Sequence, residues 1–221
     1  MPEYQPIEKQ TWHEFLLQPE GADVDTKWIS QIRQLRREKV SRPVIYIGAG
    51  TCGLGAGAEK TQEEAIRYLE AHQIEADIVQ VGCIGLCSYE PLMDVQLPGK
   101  NRLSFHHVTA DKVGPILENV FSLEPDADQL IGQFMTAGNK LWEDIPDFFD
   151  HPFFKPQTRL VLRNCGLIDP LNIEEYMAHG GYRGLTAALA GSTPGEVADL
   201  VEKSGLRGRG GGGFPAAAKW K

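Results

Sequence analysis

The chain has 221 residues, 42% hydrophobic and 24% charged, with 30 acidic against 22 basic side chains for a formal charge of −8. That acidic balance argues against a role centred on the nucleic-acid backbone, and no stretch approaches the ~18 consecutive apolar residues of a membrane span. The opening MPEYQPIEKQTW lacks the basic and apolar segments of an export signal, and four cysteines in this length do not make a disulfide scaffold. The expectation is a cytoplasmic protein whose thiols are free or on metal.

Trp28, Ile32 and Leu35 recur at helical spacing, with Arg33, Arg36 and Arg37 on the counter-face. This predicts a helix over 24–39 with its arginines solvated, ended by Ser41-Arg42-Pro43. Residues 44–47 form a short apolar strand that runs into a stretch with five glycines from Gly48 to Gly57. A helix is expected over 58–73 with Ala65, Ile66 and Leu69 inward, then a second strand over 78–81. A hairpin joins 92–97 to 103–108 across Pro98-Gly99. Thr109 caps a further helix with Val113, Ile116, Leu117, Val120 and Phe121 on its apolar side. The order strand, helix, strand, strand, strand, helix is that of a thioredoxin-like fold.

From 123 to 157 the pattern loosens into prolines, acids and the aromatic group Trp142, Phe148, Phe149, Phe153 and Phe154, which reads as a linker packed on a neighbouring domain. A second unit begins near Thr158 with a strand-like Leu160-Val161-Leu162, followed by helices over 173–178 and 182–190. The next helix is bounded by Thr193 as N-cap, Pro194 at its first position, Glu196 three residues after the cap and Gly205 past its end. The division read from the sequence is a helical lead-in over 1–41, a thioredoxin-like module over 42–122, an aromatic-rich linker over 123–157 and the second unit over 158–221.

Gly48-Ala-Gly50-Thr-Cys-Gly53 fits the GxGxxG pattern between a strand and a helix. The second strand, however, ends in Gln80-Val81-Gly82-Cys83 with no acid for a ribose, and a hairpin follows where a crossover helix belongs, which rejects a dinucleotide fold there. The strand leads instead into Cys83-Ile-Gly-Leu-Cys87, two thiols four residues apart on a tight turn with Gly85 between them, a pattern suited to iron-sulfur ligation. Together with the element order and Gly50-Thr51-Cys52, residues 42–122 resemble the thioredoxin-like 2Fe-2S domain of NADH dehydrogenases and NAD-linked hydrogenases. The resemblance implies Cys52, Cys83 and Cys87 as metal ligands of a 2Fe-2S centre. It also implies four thiolates, and laying Gly50-Thr51 and Gly57-Ala58 on the family pattern puts Gly48 and Gly53 where two cysteines belong. The preferred reading is a degenerate module kept for packing or docking. His106 and His107, neighbours on a strand, are expected on opposite faces and are not read as replacement ligands.

The second glycine-rich stretch, with six glycines from Gly205 to Gly213, follows a helix and is neither a Rossmann turn nor a P-loop. Consecutive glycines let backbone N–H groups approach a phosphate or lie under a flat ring. Arg207, Arg209 and Lys219 add positive charge, and Pro215 can open a helix. RGRGGGGFPAAAKW resembles the glycine-rich loop of the flavin- and NADH-binding subunit of respiratory complex I, shared with NAD-reducing hydrogenases and NAD-dependent formate dehydrogenases. The stretch from LRNCGLIDP through the Gly-Gly-Tyr182 turn resembles the entry to the same domain. Gly212, Ala216, Ala217 and Ala218 stand where the pattern commonly has Ala, Thr, Gly and Leu. Cys165, in this second unit, is read as a small buried hydrophobe.

The resemblance implies an α/β fold: a thioredoxin-like ferredoxin domain preceded by a helix and followed by the incomplete N-terminal segment of an FMN/NADH-binding α/β domain. FMN and NAD(H) are the implied cofactors, with Gly208, Arg209, Gly210, Gly211, Gly213, Phe214 and Lys219 in the nucleotide site and no catalytic residue assigned. The expected function is the leading part of an NADH:acceptor oxidoreductase (diaphorase) that passes electrons from NADH through FMN to iron-sulfur centres. Its expected partners are other subunits of an NADH dehydrogenase or hydrogenase complex, which would hold it in the cytoplasm or on the inner face of the membrane, with no nucleic acid and no insertion of its own. Because the family's flavin domain continues far past this loop, the chain is expected to be the front of a larger subunit. Alone it is expected to be inactive and to bind neither FMN nor NADH tightly. The alternatives are a stand-alone 2Fe-2S electron carrier and a redox-inert docking module of such a complex.

Overall fold

The structure is a computed structural model that describes residues 7–17 and 29–221. The chain divides into two compact units, Ile29–Tyr176 and Met1–Trp28 with Met177–Lys221. Trp28 and the rest of 24–28 in the predicted first helix lie outside the described residues.

In the Ile29–Tyr176 unit a five-stranded sheet runs in the order β2-β1-β3-β4-β5, where β1 is Val44–Gly48, β2 Asp77–Val81, β3 Met93–Gln96, β4 Arg102–Phe105 and β5 Leu130–Phe134. β1 pairs parallel with β2 and antiparallel with β3, and the remaining pairs are antiparallel. β1 sits inside the sheet and is buried along its whole length, so it reads as a continuous apolar run and not as an alternation. Its two faces are separated by the period of two: Ile45 and Ile47 join Met93, Val95, Leu103 and Phe105 on one side, while Val44 and Tyr46 meet Val79 and Val81 on the other. The first face is covered by α4 (Ala58–Ala71) and α5 (Ala110–Phe121), which bring Ala65 and Leu69, and Val113, Ile116, Leu117 and Val120, into the same core. The thioredoxin-like strand and helix order read from the sequence is therefore formed. Before this module come α1 (Lys9–Leu17) and α2 (Ile29–Leu35), and α2 buries Ile32 and Leu35.

The arginines of α2 and of the turn after it are not merely solvated. Arg33 donates to the Ala137 carbonyl at 2.9 Å and pairs with Glu38, and Arg37 pairs at 3.3 Å with Glu175, a carboxylate buried to 1% exposure. Burial pushes the Glu175 carboxyl up and the Arg37 charge opposes it.

Residues 123–157 contain β5, which the linker expectation did not include, while their aromatic group packs on the neighbouring module as expected. Phe148 and Phe154 pack with Ile131 and Phe134 of β5 and with Ile84, Leu86 and Leu92. Trp142 enters the main core and donates its indole N–H to the Asn101 carbonyl at 2.8 Å. The strand-like Leu160-Val161-Leu162 forms no strand. It lies in turns with Val161 94% exposed. The turn that follows is fastened to the sheet by Arg102, whose guanidinium stacks on Tyr46, pairs with Asp94 and donates to the carbonyls of Gly166 and Leu167. Cys165 sits on this turn and is exposed, not buried.

Among the described residues the other unit is helical. α6 (Ile173–Ala178) spans the boundary, followed by α7 (Arg183–Gly191), α8 (Pro194–Lys203) and α9 (Ala217–Trp220). α7 packs on α1, where Trp12 and Phe15 meet edge to face at 5.9 Å and the Arg183 guanidinium lies 5.0 Å from the Phe15 ring centre. α8 starts with the expected capping box, Thr193 and Glu196 each satisfying the other's backbone N–H. Lys221 ties α9 to α8 through Glu202 at 2.7 Å and Asp199 at 2.9 Å, contacts that push its ammonium pKa up to about 12.

Candidate functional site

The first candidate residues gather where β1 and β2 end. β1 delivers Gly48, and the chain turns at once into α3 (Thr51–Ala56), so the first glycine-rich stretch is largely a short helix and not an open loop. Gly53 makes that turn feasible: a Cβ there would lie 2.0 Å from the Gly48 carbonyl oxygen. Beneath the two glycines is Glu90, whose Oε2 accepts the Leu92 N–H at 2.9 Å and would stand 3.0 Å from a Cβ at Gly48. Its Oε1 is buried with no hydrogen-bond partner. Burial drives the Glu90 carboxyl up, the Leu92 N–H opposes this, and Asp94 adds to the rise.

After β2 the chain passes Gly82 into the cysteine turn. Ile84 and Leu86 are buried in the apolar cluster with Phe148 and Phe154. The Ile84 carbonyl accepts from Arg159 at 2.8 Å, and Gly166 approaches so closely that a Cβ there would be 2.4 Å from the Ile84 Cβ. With these two side chains fixed inward, the flanking sulfur atoms of Cys83 and Cys87 meet at 3.6 Å. Gly85, at φ +103°, supplies the left-handed turn between them and donates its N–H to Cys83 Sγ at 3.3 Å. Cys87 is exposed and Cys83 half-buried. Burial pushes the Cys83 thiol up, and the Gly85 N–H works against that.

Cys52 lies on α3 and is exposed. Among the described residues no three Cys, His, Asp or Glu side chains stand together to hold a metal ion. A 2Fe-2S cluster requires four ligands, ordinarily thiolates. This corner offers two adjoining sulfurs, a buried carboxylate, and at position 53 no room for a side chain, so its donor set does not fit that cluster. His106 and His107 are brought together, with Nδ1 atoms 2.7 Å apart. They escape strand alternation because β4 ends at Phe105 and His107 turns at φ +48°. Both rings pack on Tyr89, and burial holds the His106 pKa down.

The second glycine-rich stretch is a closed loop. Gly208 N–H donates to the Phe214 carbonyl at 2.8 Å and Ala216 N–H to the Leu206 carbonyl at 2.9 Å, and Arg207 reaches across to the Gly213 carbonyl at 3.2 Å. Past this neck, a Cβ at Gly210, Gly211, Gly212 or Gly213 would meet nothing within 4 Å. Among the described residues none of these four N–H groups has a backbone acceptor. Gly211 and Gly213 take φ +108° and +58°, which is where glycine is required. Arg209 and Phe214 are exposed, and the Lys219 ammonium lies 5.7 Å from the Phe214 ring centre. The structure thus gathers Gly208, Arg209, Gly210, Gly211, Gly213, Phe214 and Lys219 on one loop and the short helix after it. That helix starts at Ala217 and not at Pro215, and its four residues are too few to act as an anion-binding helix end.

Two residues with defined roles were not singled out as such by sequence reasoning. Glu90 follows the second cysteine of the turn in the run Ser88-Tyr-Glu-Pro91, where nothing in the pattern signals burial. Arg207 reads there only as charge, whereas it fastens the loop neck.

No family model matches the chain. A 66-residue stretch is 58% identical to the NADP-reducing hydrogenase subunit HndC of Solidesulfovibrio fructosivorans, covering 30% of this chain and 13% of that protein. Another of 61 residues is 49% identical to the second F-type subunit of the NADH-quinone oxidoreductase of Rhizobium meliloti, covering 28% and 14%. A third of 50 residues is 54% identical to the F-type subunit of the NADH-quinone oxidoreductase of Aquifex aeolicus, covering 23% and 12%. Among solved structures, a thioredoxin-like [2Fe-2S] ferredoxin from Aquifex aeolicus aligns over 46% of this chain and all of its own, at 13% identity and TM-score 0.38. An NAD+-reducing [NiFe]-hydrogenase aligns over 86% of this chain and 30% of its own, at 16% identity and TM-score 0.33. The matched stretches therefore span 12% to 14% of the curated relatives' length. Over them the chain is homologous to the F-type subunits of NADH-quinone oxidoreductases and to a hydrogenase subunit, the family that its glycine-rich loop resembles.

Proposed function

We propose that this chain is the leading part of an NADH:acceptor oxidoreductase flavoprotein subunit, acting in the cytoplasm within a complex of the NADH dehydrogenase or hydrogenase type. The observation that carries the proposal is the loop of residues 207–215. Its neck is fastened by three hydrogen bonds, and its tip carries four glycines whose N–H groups have no backbone acceptor among the described residues and where a Cβ would meet nothing within 4 Å. Such a tip fits a flat ring or a phosphate, because unshielded amides in succession form an anion-binding concavity and no Cβ keeps the ligand away. Gly210, Gly211, Gly212 and Gly213 would form the cradle, and Gly208, whose N–H is taken by the Phe214 carbonyl, would close its neck. Arg209 and Lys219 would meet the phosphates, and Phe214 would border the ring system. The chemistry supplied by FMN when bound is acceptance of a hydride from NADH and release of its electrons one at a time. The protein's own contribution is to hold the loop open and positively charged without spending side-chain entropy on it. For the Ile29–Tyr176 unit, the misfit between the cysteine corner and a 2Fe-2S centre favours a docking role over an electron-carrying one.

The test is made on the native protein that bears this chain, purified anaerobically and assayed for bound flavin and for NADH oxidation with a viologen acceptor. Gly210→Asp fills the cradle with a carboxylate at a position with ordinary φ. It is expected to remove bound FMN and to cut NADH oxidation at least tenfold, while the unfolding temperature stays the same. Gly195→Asp, at an equally open position on α8, is expected to leave both readouts unchanged. Unaltered flavin content and rate in Gly210→Asp, or a native protein without flavin, would overturn the proposal.

A further inference from the structure

The cysteine turn has the geometry of a dithiol poised to close. Ile84 and Leu86 are held in the apolar cluster, Arg159 holds the Ile84 carbonyl, and Gly166 seals the turn from below. The turn thus has little freedom to separate the two sulfurs that it brings to 3.6 Å, which is van der Waals contact. A pair in contact needs only a small torsional adjustment to reach bonding distance, whereas most cysteine pairs in a fold cannot meet without backbone movement. The remaining members of a cluster-binding set are missing: Gly53 has no room for a side chain, and Glu90 occupies the space under Gly48.

We propose that Cys83 and Cys87 form a reversible redox dithiol, oxidised to an intramolecular disulfide by low-molecular-weight disulfides of the glutathione class. Cys87 is the exposed member and makes the first attack, while Cys83, half-buried and receiving the Gly85 N–H, is the resolving thiol. In the first step the Cys87 thiolate bonds to one sulfur of the oxidant, the oxidant's S–S bond breaks, and the departing thiolate takes up a proton. In the second, Cys83 gives up its proton and attacks Cys87 Sγ, which expels the second small thiol. Two protein thiols are oxidised by two electrons, and one disulfide is reduced to two thiols. A reduced dithiol in excess reverses both steps.

The experiment equilibrates the full chain, anaerobic and reduced, with glutathione mixtures of increasing oxidised fraction, followed by acid quench, alkylation and mass mapping. The wild type is expected to lose two of its four thiols together, with the bond located between residues 83 and 87 and reopened by dithiothreitol. Cys83→Ser is expected to stop at one glutathione held on Cys87. The Cys52→Ser, Cys165→Ser double variant is expected to close as the wild type does. Independent glutathionylation of all four cysteines, a bond from Cys83 or Cys87 to Cys52 or Cys165, or a bond between two chains would overturn the proposal. So would a visible 2Fe-2S spectrum after iron and sulfide reconstitution that persists in oxidised glutathione.

Discussion

Glu90 shows how a single residue departs from what its sequence setting suggests. A glutamate in a turn is ordinarily solvated, yet here the chain carries it under Gly48 and Gly53, where only one carboxylate oxygen finds a donor. Burial disfavours the charged form, so its pKa in the folded state lies above the ordinary carboxylate value. The sign follows from linkage: the folded state binds this proton more tightly than the unfolded chain, so the stabilisation is complete at low pH and is lost as pH rises through the raised value. Ionising the carboxyl in this place costs stability. Glu90→Gln keeps an acceptor for the Leu92 N–H and removes the charge. The unfolding temperature of the variant relative to wild type is therefore expected to rise by a few degrees between about pH 4 and pH 7. A difference that stays constant over that range, measured by calorimetry at several pH values, would show that the carboxyl is solvated.

At the scale of elements, how much the sequence revealed depended on whether packing and local propensity agreed. β1, α4, α5 and α8 were legible because apolar spacing, caps and burial all point the same way. β5 was hidden for two physical reasons. Gly132 weakens the strand signal but is required, since a Cβ there would lie 2.8 Å from the Pro146 carbonyl oxygen and 3.0 Å from Phe148. Gln133 looks like a surface residue but is buried, because its amide bonds Asn101 and the carbonyls of Trp142 and Ile145. Leu160-Val161-Leu162 fails in the opposite sense, an apolar run that pairs with no strand among the described residues. The glycine loop at 207–215 was legible from composition, but its closed neck was not, because the bonds that make it join groups six to ten residues apart. The α8 cap gives a quantitative check. Thr193→Ala removes the side-chain acceptor for the Glu196 N–H and the hydroxyl that holds the Glu196 carboxylate, and is expected to cost about 1 kcal/mol. Amide exchange at 195–197 should quicken, and Thr193→Ser should restore it. Unchanged exchange in the alanine variant would mean that the helix start is held by something else.

The two compact units have different reserves of buried apolar surface, and that difference should govern how the whole chain comes apart. Ile29–Tyr176 holds a core in which Ile45, Ile47, Met93, Val95, Leu103, Leu117 and Val120 are all essentially without solvent contact. It is laced by ladder hydrogen bonds between residues far apart in sequence. Among the described residues the unit of Met1–Trp28 and Met177–Lys221 rests on short helices, and α7 and α8 leave Leu185, Leu189 and Leu200 more than half exposed. Local stability follows buried apolar contact and protected backbone hydrogen bonds, so the helical unit is expected to open first. Hydrogen exchange should find the slowest amides in β1 and β3 and in the buried faces of α4 and α5, with α7, α8 and the glycine loop exchanging well below the global unfolding free energy. Denaturant unfolding should then show two transitions, the earlier one without loss of the near-ultraviolet signal from Trp142, which belongs to the main core. A single cooperative transition with uniform protection across both units would instead show that the chain folds as one body. In that event the open loop at 207–215 would be held by the same free energy as the sheet.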